Sequence, residues 1–492
     1  MNTLYLIRPN CFPHPSVFVF LGSLAFIALP HISAGEQVID IGSRRQLFLG
    51  DHLIGKLKGV RQELHSPVRR DIAIKPEHPW EKYGVSYMVA FRDQGKFRAW
   101  YRVDGSALDQ EKRHSMTAYA ESDNGIHWTK PKLGIIEFNG SRENNLVWDG
   151  SVENLAVFRD DNPNCHPSER YKALARSRYL HGLVSPDGWH WKRLERDPLS
   201  TERPFDSHNI GFWDRVTGQY VAYTRGVRRN GRLGQGMTNK FKQNGVRWVR
   251  RATSQDFRHW TPLQPIQTAG APREELYTNS TIRYDRAPDF LLMFPSRYAS
   301  GRKPDPDWKY IGVNDIAFLS SRDGIHFERT FMEAFIRPGL DQGNWHDRSL
   351  YMERGLLGTS PTELSLYCMQ NWRLPTCHIR RYTLRKDGFV SLRGSYEGGE
   401  FITKPLNFVG SQLRLNVSTS AVGSVRVEIQ QADGKVIPGY ELSNCPDLYV
   451  DKLDVPVSWK QGTDVSRLAE KTIRLRFELK DADLYALRFV NP

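Results

Sequence analysis

Cysteine is scarce in this chain, and the few present are not in metal-binding order. Five occur in 492 residues, at positions 11, 165, 368, 377 and 445. No two are spaced Cys-x-x-Cys, which excludes the common structural zinc arrangements. A Walker phosphate loop and a usable dinucleotide fingerprint are also missing, so nothing points to nucleotide chemistry, and no metal or cofactor is expected. Beyond residue 30 no apolar run approaches the roughly 20 residues of a membrane-crossing helix. Helical apolar spacing is nearly absent throughout. Acidic residues are absent from 225–251, a stretch dense in arginine and lysine.

The net charge is +14. At the N-terminus Arg8 precedes an apolar stretch over residues 16–30, and Ala34 follows shortly after. Basic, apolar, then small is the order of a secretory signal, so residues 1–34 are expected to be removed. A membrane anchor is the alternative, but the run is short for one. The mature chain is then secreted or periplasmic, without stable membrane insertion. Export permits disulfides, and Cys368 and Cys377 are close enough in sequence to pair across a hairpin, although spacing does not decide this. A basic exported protein suits an anionic partner better than nucleic acid. Residues 225–251 are either part of such an attracting field or a solvated hairpin tip.

What the chain does have is one phrase written four times. The copies are Ser122-Asp123-Asn124-Gly125-Ile126-His127-Trp128, Ser185-Pro186-Asp187-Gly188-Trp189-His190-Trp191, Ser254-Gln255-Asp256-Phe257-Arg258-His259-Trp260 and Ser321-Arg322-Asp323-Gly324-Ile325-His326-Phe327. Their near-constant spacing marks a repeated supersecondary unit. Each copy reads as a turn, with Asp or Asn accepting backbone N–H bonds and Gly allowing positive φ. The closing aromatic returns into a strand and packs between neighbouring sheets. Lys386-Asp387-Gly388-Phe389 is a weakened fifth copy.

Short strands fill the intervals, as in Val85-Ser86-Tyr87-Met88-Val89-Ala90-Phe91. Five such units predict an all-β fold, a five-bladed β-propeller over residues 35–398, which protects strand edges by radial repetition. Stacked sandwiches are the rival. Arg45-Gln46-Leu47-Phe48-Leu49 is the strand offered for ring closure. From 399 to 492 the pattern changes to strict alternation, as in Ile473-Arg474-Leu475-Arg476-Phe477-Glu478-Leu479, with a turn at Asp433-Gly434. That pattern predicts a C-terminal β-sandwich accessory domain.

Blades carrying these turns, followed by a sandwich, resemble the secreted propellers of glycoside hydrolase families 32 and 43. The resemblance runs from about Ile39 to the C-terminus and rests on segments such as Tyr119-Ala120-Glu121-Ser122-Asp123-Asn124-Gly125-Ile126-His127-Trp128. It implies a carbohydrate substrate and an exported glycosidase. Two family-32 motifs are missing. Asp51 is the nearest residue to the first-blade Asn-Asp-Pro-Asn-Gly, and Arg159-Asp160-Asp161-Asn162-Pro163 only approaches Arg-Asp-Pro. Sucrose or fructan chemistry is therefore not expected. The phrase also resembles the sialidase Asp-box, but is one residue shorter and comes without a readable arginine triad.

Glycosidic cleavage needs a protonated carboxyl and an ionised one. In a propeller the segments opening each blade face the central funnel, and here they supply Glu81, Glu153 and Asn154, Asp206 with His208 and Asn209, Glu275 with Tyr277 and Asn279, and Asp347 with Arg348. Asp206 and Glu275 are the preferred catalytic pair. His208, Asn209, Tyr277, Asn279, Arg348, Asp51 and Asn154 are the substrate-binding candidates. Each carboxylate could instead be an ordinary blade-edge group, Asp347 could be an ion-pair partner of Arg348, and Asp51 could be a turn residue. The histidines His127, His190, His259 and His326 fall one to a blade on outer turns, so they are expected to bond locally rather than converge. Three readings follow: a hydrolase of a plant or algal polysaccharide, acidic or sulfated; a non-catalytic carbohydrate-binding propeller; and a phosphorylase holding phosphate near Arg273 and Arg348.

Overall fold

A computed structural model describes residues 37–104, 115–195, 197–206, 208–229, 232–233 and 245–492. The segment read as a secretory signal and most of the basic stretch after residue 229 lie outside the described residues. Among the described residues there is no α-helix, only short 3₁₀ turns between strands.

Six sheets form the five blades, blade 4 being made of two. Blade 1 runs Val85–Asp93, Lys96–Asp104, Ser115–Ser122 and Leu146–Trp148, and blade 2 runs Glu153–Arg159, Tyr171–Arg176, Leu180–Ser185 and Lys192–Arg193. Blade 3 is built from Ile210–Asp214, Gln219–Arg229, Val246–Ser254 and Gln264–Pro265. Blade 4 has Ile282–Arg283, Leu291–Met293 and Leu319–Ser321, extended toward the funnel mouth by the hairpin Ser296–Ala299 with Val313–Ile316. Blade 5 has Tyr351–Met352, Glu363–Gln370 and His378–Arg385.

The strand that completes blade 5 is Val68–Ile74, paired antiparallel to His378–Arg385. This corrects the expectation for Arg45–Leu49. Gln46–Leu47 pairs instead with Ile473–Val490 in the C-terminal sheet. Burial explains the difference, because Gln46, Leu47, Phe48 and Leu49 are all enclosed while an outermost blade strand faces water. Val68-Arg69-Arg70-Asp71, exposed throughout, suits that position.

The sandwich also takes more of the chain than alternation after residue 399 suggested. Ile39–Gly42 lies parallel to Leu406–Phe408, Ile54–Lys58 pairs with Gly399–Thr403, and Val60–Leu64 pairs with Val390–Gly394. Residues 39–64 and 390–394 therefore belong to the sandwich, and the propeller proper spans about 68–385. Two long strands, Gln412–Gln431 and Ile473–Val490, break register near Thr419 and Ser424 and contribute to both layers. Their inward residues, including Leu413, Leu415, Val427, Phe477 and Phe489, share one core. The alternation predicted for residues 473–479 is present as alternately buried and half-buried residues.

The repeated turns behave as read. In blade 2, Asp187 Oδ1 accepts from the amides of Trp189 and His190 at 2.9 Å each, and its other oxygen meets His190 Nδ1 at 2.7 Å. Asp256 and Asp323 repeat that pattern with His259 and His326. Each turn is also clasped by an aromatic from the preceding blade. Trp100 of blade 1 donates to Gly188 O at 2.7 Å, Tyr223 of blade 3 donates to Gly324 O at 2.8 Å, and Tyr367 of blade 5 donates to Gly125 O. Between blades 2 and 3 the link is apolar, Phe158 edge-on to Phe257 at 5.6 Å. Between blades 4 and 5 Tyr284 donates to Asp387 at 2.7 Å. Gly188 has φ +84°, and a Cβ there would stand 2.7 Å from Trp100, so both its backbone and its contact demand glycine.

All four described cysteines are free. Cys368 and Cys377 do not pair, because Cys368 faces Arg380 across the hairpin while Cys377 lies just outside it with Sγ toward Val85 O.

Candidate functional site

Five residues other than glycine adopt left-handed backbone where the inner strand of a blade begins: Tyr87, Asn154, His208, Ser280 and Arg348, with φ from 43° to 61°. One falls on each blade. In blades 1 and 2 they coincide with register breaks, between Ser86 and Val89 and between Glu153 and Ala156. A bulge of this kind re-aims side chains, and such conformations cost about 1–2 kcal/mol each outside glycine. Here they turn the first residues of every blade toward the propeller axis, which makes the funnel mouth the strained part of the ring.

Asp206, just before His208, stands where the blades converge. Its carboxylate accepts from Tyr277 Oη at 3.2 Å and from Arg225 Nη1 at 3.4 Å. The Asp206 side chain remains 37 % exposed. Burial among protein groups would raise its pKa, but Arg225, Arg176 and Arg348 outweigh that and hold the carboxyl below its usual range. Those arginines come from blades 3, 2 and 5, so the group feels most of the ring at once.

Aromatic rings form the opposite wall. Tyr277 stacks on Tyr351 at 5.4 Å, Tyr351 on Tyr87 at 5.4 Å, and Tyr87 leans on His208 at 5.4 Å. Arg225 lies 4.2 Å over the Tyr277 ring and Arg247 lies 5.1 Å from it. Glu275 is tied to Arg247 at 2.5 Å and is 17 % exposed. Asp206 and Glu275 therefore flank Tyr277, one on its hydroxyl and one beside the arginine over its ring.

The other funnel carboxylates also carry arginines. Glu153 meets Arg176 at 2.5 Å, Asp104 meets Arg102 at 2.9 Å, and Asp347 meets Arg348 at 2.6 Å. Asp347 also accepts from Trp308 Nε1 at 2.8 Å. Asn154 presents its oxygen to Arg102 at 3.2 Å.

Several binding candidates occupy other places. His208 is fully buried, and burial together with Arg354 pushes its pKa down to about 3, so it is a neutral ring in the funnel floor beneath Tyr87. Neither of its nitrogens has a hydrogen-bond partner among the described residues. Asn209 is buried, accepting from the Arg225 amide at 3.3 Å. Asn279 is a strut between blades, donating to His208 O and Tyr223 O and accepting from Thr281. Its hydrogen-bonding capacity is used in the fold, so it is corrected from binding residue to structural residue. Asp51 is corrected as well: it is an exposed turn residue of the sandwich, its carbonyl accepting from Lys404, because residues 39–64 left the propeller. Glu81 is enclosed by Lys130 and Tyr101 and has no route to the funnel.

Sequence reasoning missed Arg102, Arg176, Tyr87, Tyr351 and Glu353, and counted Arg225 only within the basic stretch 225–251. Arg102, Arg176 and Arg225 share a signal, an arginine at or just past the end of the apolar run in a blade's second strand. Glu353 is 1 % exposed, and burial drives its carboxyl well above the usual range, tempered by the Met88 and Tyr87 amides. It sits beneath the tyrosine wall, out of reach of a ligand.

No family model matches the chain, and a comparison with curated proteins finds no relative. Among solved structures it is similar to a glycoside hydrolase family 43 arabinoxylan arabinofuranohydrolase from Bacillus subtilis, at 12 % identity over 84 % of this chain and 96 % of that one, TM-score 0.40. A glycosyl hydrolase from Bacteroides ovatus shares 16 % identity over 70 % of this chain and 97 % of its own, TM-score 0.40. A structure from work on the GH130 family of mannoside phosphorylases shares 17 % over 69 % and 96 %, TM-score 0.41. These are likenesses of fold. The site is read from its own geometry.

Proposed function

We propose that the chain is an exported carbohydrate-active enzyme, a glycoside hydrolase whose funnel takes an acidic or sulfated saccharide. The observation that carries this reading is Asp206. It is an ionised, solvent-reachable carboxylate where the blades converge, facing a tyrosine wall and ringed by arginines. Guanidinium forks suit carboxylate or sulfate groups, and the buried Tyr87, Tyr351 and Tyr277 rings, stacked on one another, hold Asp206 and Arg225 in place beside them. With its pKa held down, Asp206 is the base or nucleophile. Glu275, on the far side of Tyr277, is the proton donor once substrate draws Arg247 away from it.

A second reading, a carbohydrate-binding propeller without catalysis, is favoured by the closure of Glu275 on Arg247. Asp206→Asn and Glu275→Gln decide between them, assayed for reducing-end release on acidic plant and algal polysaccharides. Hydrolysis requires wild-type turnover that falls by about 10²–10⁴ in each variant at unchanged melting temperature. Saccharide binding without product from the wild type selects the binding reading, and turnover that survives both substitutions overturns the site assignment. Turnover dependent on inorganic phosphate would instead identify a phosphorylase.

A further inference from the structure

A groove of about 1260 Å³ leaves the funnel beside Glu275 and runs along blade 4 to Trp345. It is continuous with the funnel through three segments. Residues 273–277 carry Glu275 in the groove and Tyr277 in the funnel. Tyr298 lines the groove and meets the Tyr277 ring edge-on at 6.1 Å. Asn314 lines it too, and its side-chain oxygen accepts from the Arg348 amide at 2.7 Å. The volume exceeds the about 300–1,000 Å³ of a typical small-ligand pocket, so it has room for more than the unit held at Asp206.

Two features of the lining select an occupant. Trp345 is 37 % exposed in the groove lining, and its indole N–H donates to Gly339 O at 2.8 Å, which fixes the ring as a platform. Arg273, Arg302 and Arg337 also line the groove, and none enters an ion pair among the described residues. Arg297, by contrast, is held by Glu274 and Asp315 at 3.0 and 2.5 Å. Among the lining acids only Glu333 is likewise without an ion pair, so the groove keeps an excess of uncommitted positive charge.

We propose that this groove binds the extension of an anionic glycan whose reacting unit occupies the funnel, with Trp345 stacking a distal sugar and Arg302 and Arg337 meeting its carboxylate or sulfate groups. The proposal rests on reading the funnel as a saccharide site.

Its test is calorimetric binding to the full chain carrying Asp206→Asn, so that no turnover intervenes. The ligands are oligogalacturonates from dimer to hexamer, their carboxyl-reduced counterparts, and sulfated galactan oligomers of matching lengths. Affinity should rise about tenfold from dimer to hexamer. Trp345→Ala or Arg337→Ala should remove most of that gain while leaving dimer affinity unchanged, and Trp345→Phe should restore it by keeping a stacking face. A gain confined to one of the two anionic series names the acidic group. An equal gain with the carboxyl-reduced series overturns the anionic assignment. Affinity independent of length, or a gain that survives both alanine variants, overturns the groove and leaves the funnel reading standing. Failure of even the dimers to bind overturns both.

Discussion

Asp387 offers the most direct test of how the two parts of the molecule are joined. Its side chain is fully buried and accepts from Tyr284 at 2.7 Å and from Arg286 Nε and Nη2 at 2.8 Å each. Arg45 lies 3.3 Å away and Asn416 donates at 3.3 Å. Tyr284 and Arg286 belong to blade 4, Arg45 and Asn416 to the sandwich, and Asp387 itself closes blade 5. Asp387→Asn removes the charge, leaves the buried Arg45 with only Asp454 at 3.6 Å, and unpairs the half-buried Arg286, a loss of about 3–5 kcal/mol for a broken buried pair. Residues 38–492 form one compact unit. A cooperative unit of this size has an unfolding entropy near 1 kcal/mol per kelvin, so the melting temperature should fall by about 3–5 °C at neutral pH.

The acid dependence has a defined sign. Burial would raise the Asp387 pKa, but hydrogen bonds from Arg286 and the charge of Arg45 carry it below its ordinary value in the fold. A depressed carboxyl stabilises fully above its unfolded pKa of about 3.9 and loses that contribution as pH falls through the folded value. The difference between wild type and Asp387→Asn should therefore be constant from pH 5 to about 7 and shrink below about pH 4. Differential scanning calorimetry across that range measures both quantities. A variant melting within a degree of wild type, or a gap that stays level into acid, would refute the reasoning, as would separate transitions for propeller and sandwich.

Three further outcomes are expected. Tyr277→Phe removes a donor from Asp206, so the acid limb of kcat/KM should move to higher pH with the neutral-pH maximum less affected; an unmoved limb excludes Asp206 as the titrating group. Gly188→Ala places a methyl against Trp100 at a left-handed position, and should cost about 2–4 kcal/mol by urea denaturation without altering ligand affinity. Raising ionic strength from 0.05 to about 0.5 M should weaken binding of an anionic oligosaccharide several-fold and leave a neutral one unchanged; equal sensitivity would remove the case for arginine recognition.

The repeated phrase made the propeller legible because its chemistry is local. Asp187 and its counterparts cap amides two and three residues ahead, so the motif and the turn are one object. Counting forward from each copy led to the blade openings and so to Asp206. Asp51, offered from the resemblance, and Arg45–Leu49, offered for ring closure, were misplaced, since strand pairing between residues 39–64 and 390–490 leaves no local trace in sequence. Tyr87 and Tyr351 were equally hidden. They stack only because blades 1 and 5 become neighbours when the ring closes. Asn279 shares the alternation of Glu275 and Tyr277, but its partners are backbone carbonyls of another blade, which no pattern within its own strand announces.

The course of the N-terminal segment has a practical consequence. The chain starts the sandwich, supplies the last strand of blade 5, completes all the blades, and only then returns to finish the sandwich. The sandwich is therefore not an appendage that can be exchanged between proteins like a bead on a string. A deletion after residue 394 would leave Ile39–Gly42, Gln46–Leu47 and Ile54–Lys58 without their partners, and would strip Val390–Gly394 of its neighbour Ile473–Val490. For recombinant work the shortest sensible boundaries are the two ends of residues 38–492, and a library that shuffles C-terminal domains would be expected to yield insoluble protein.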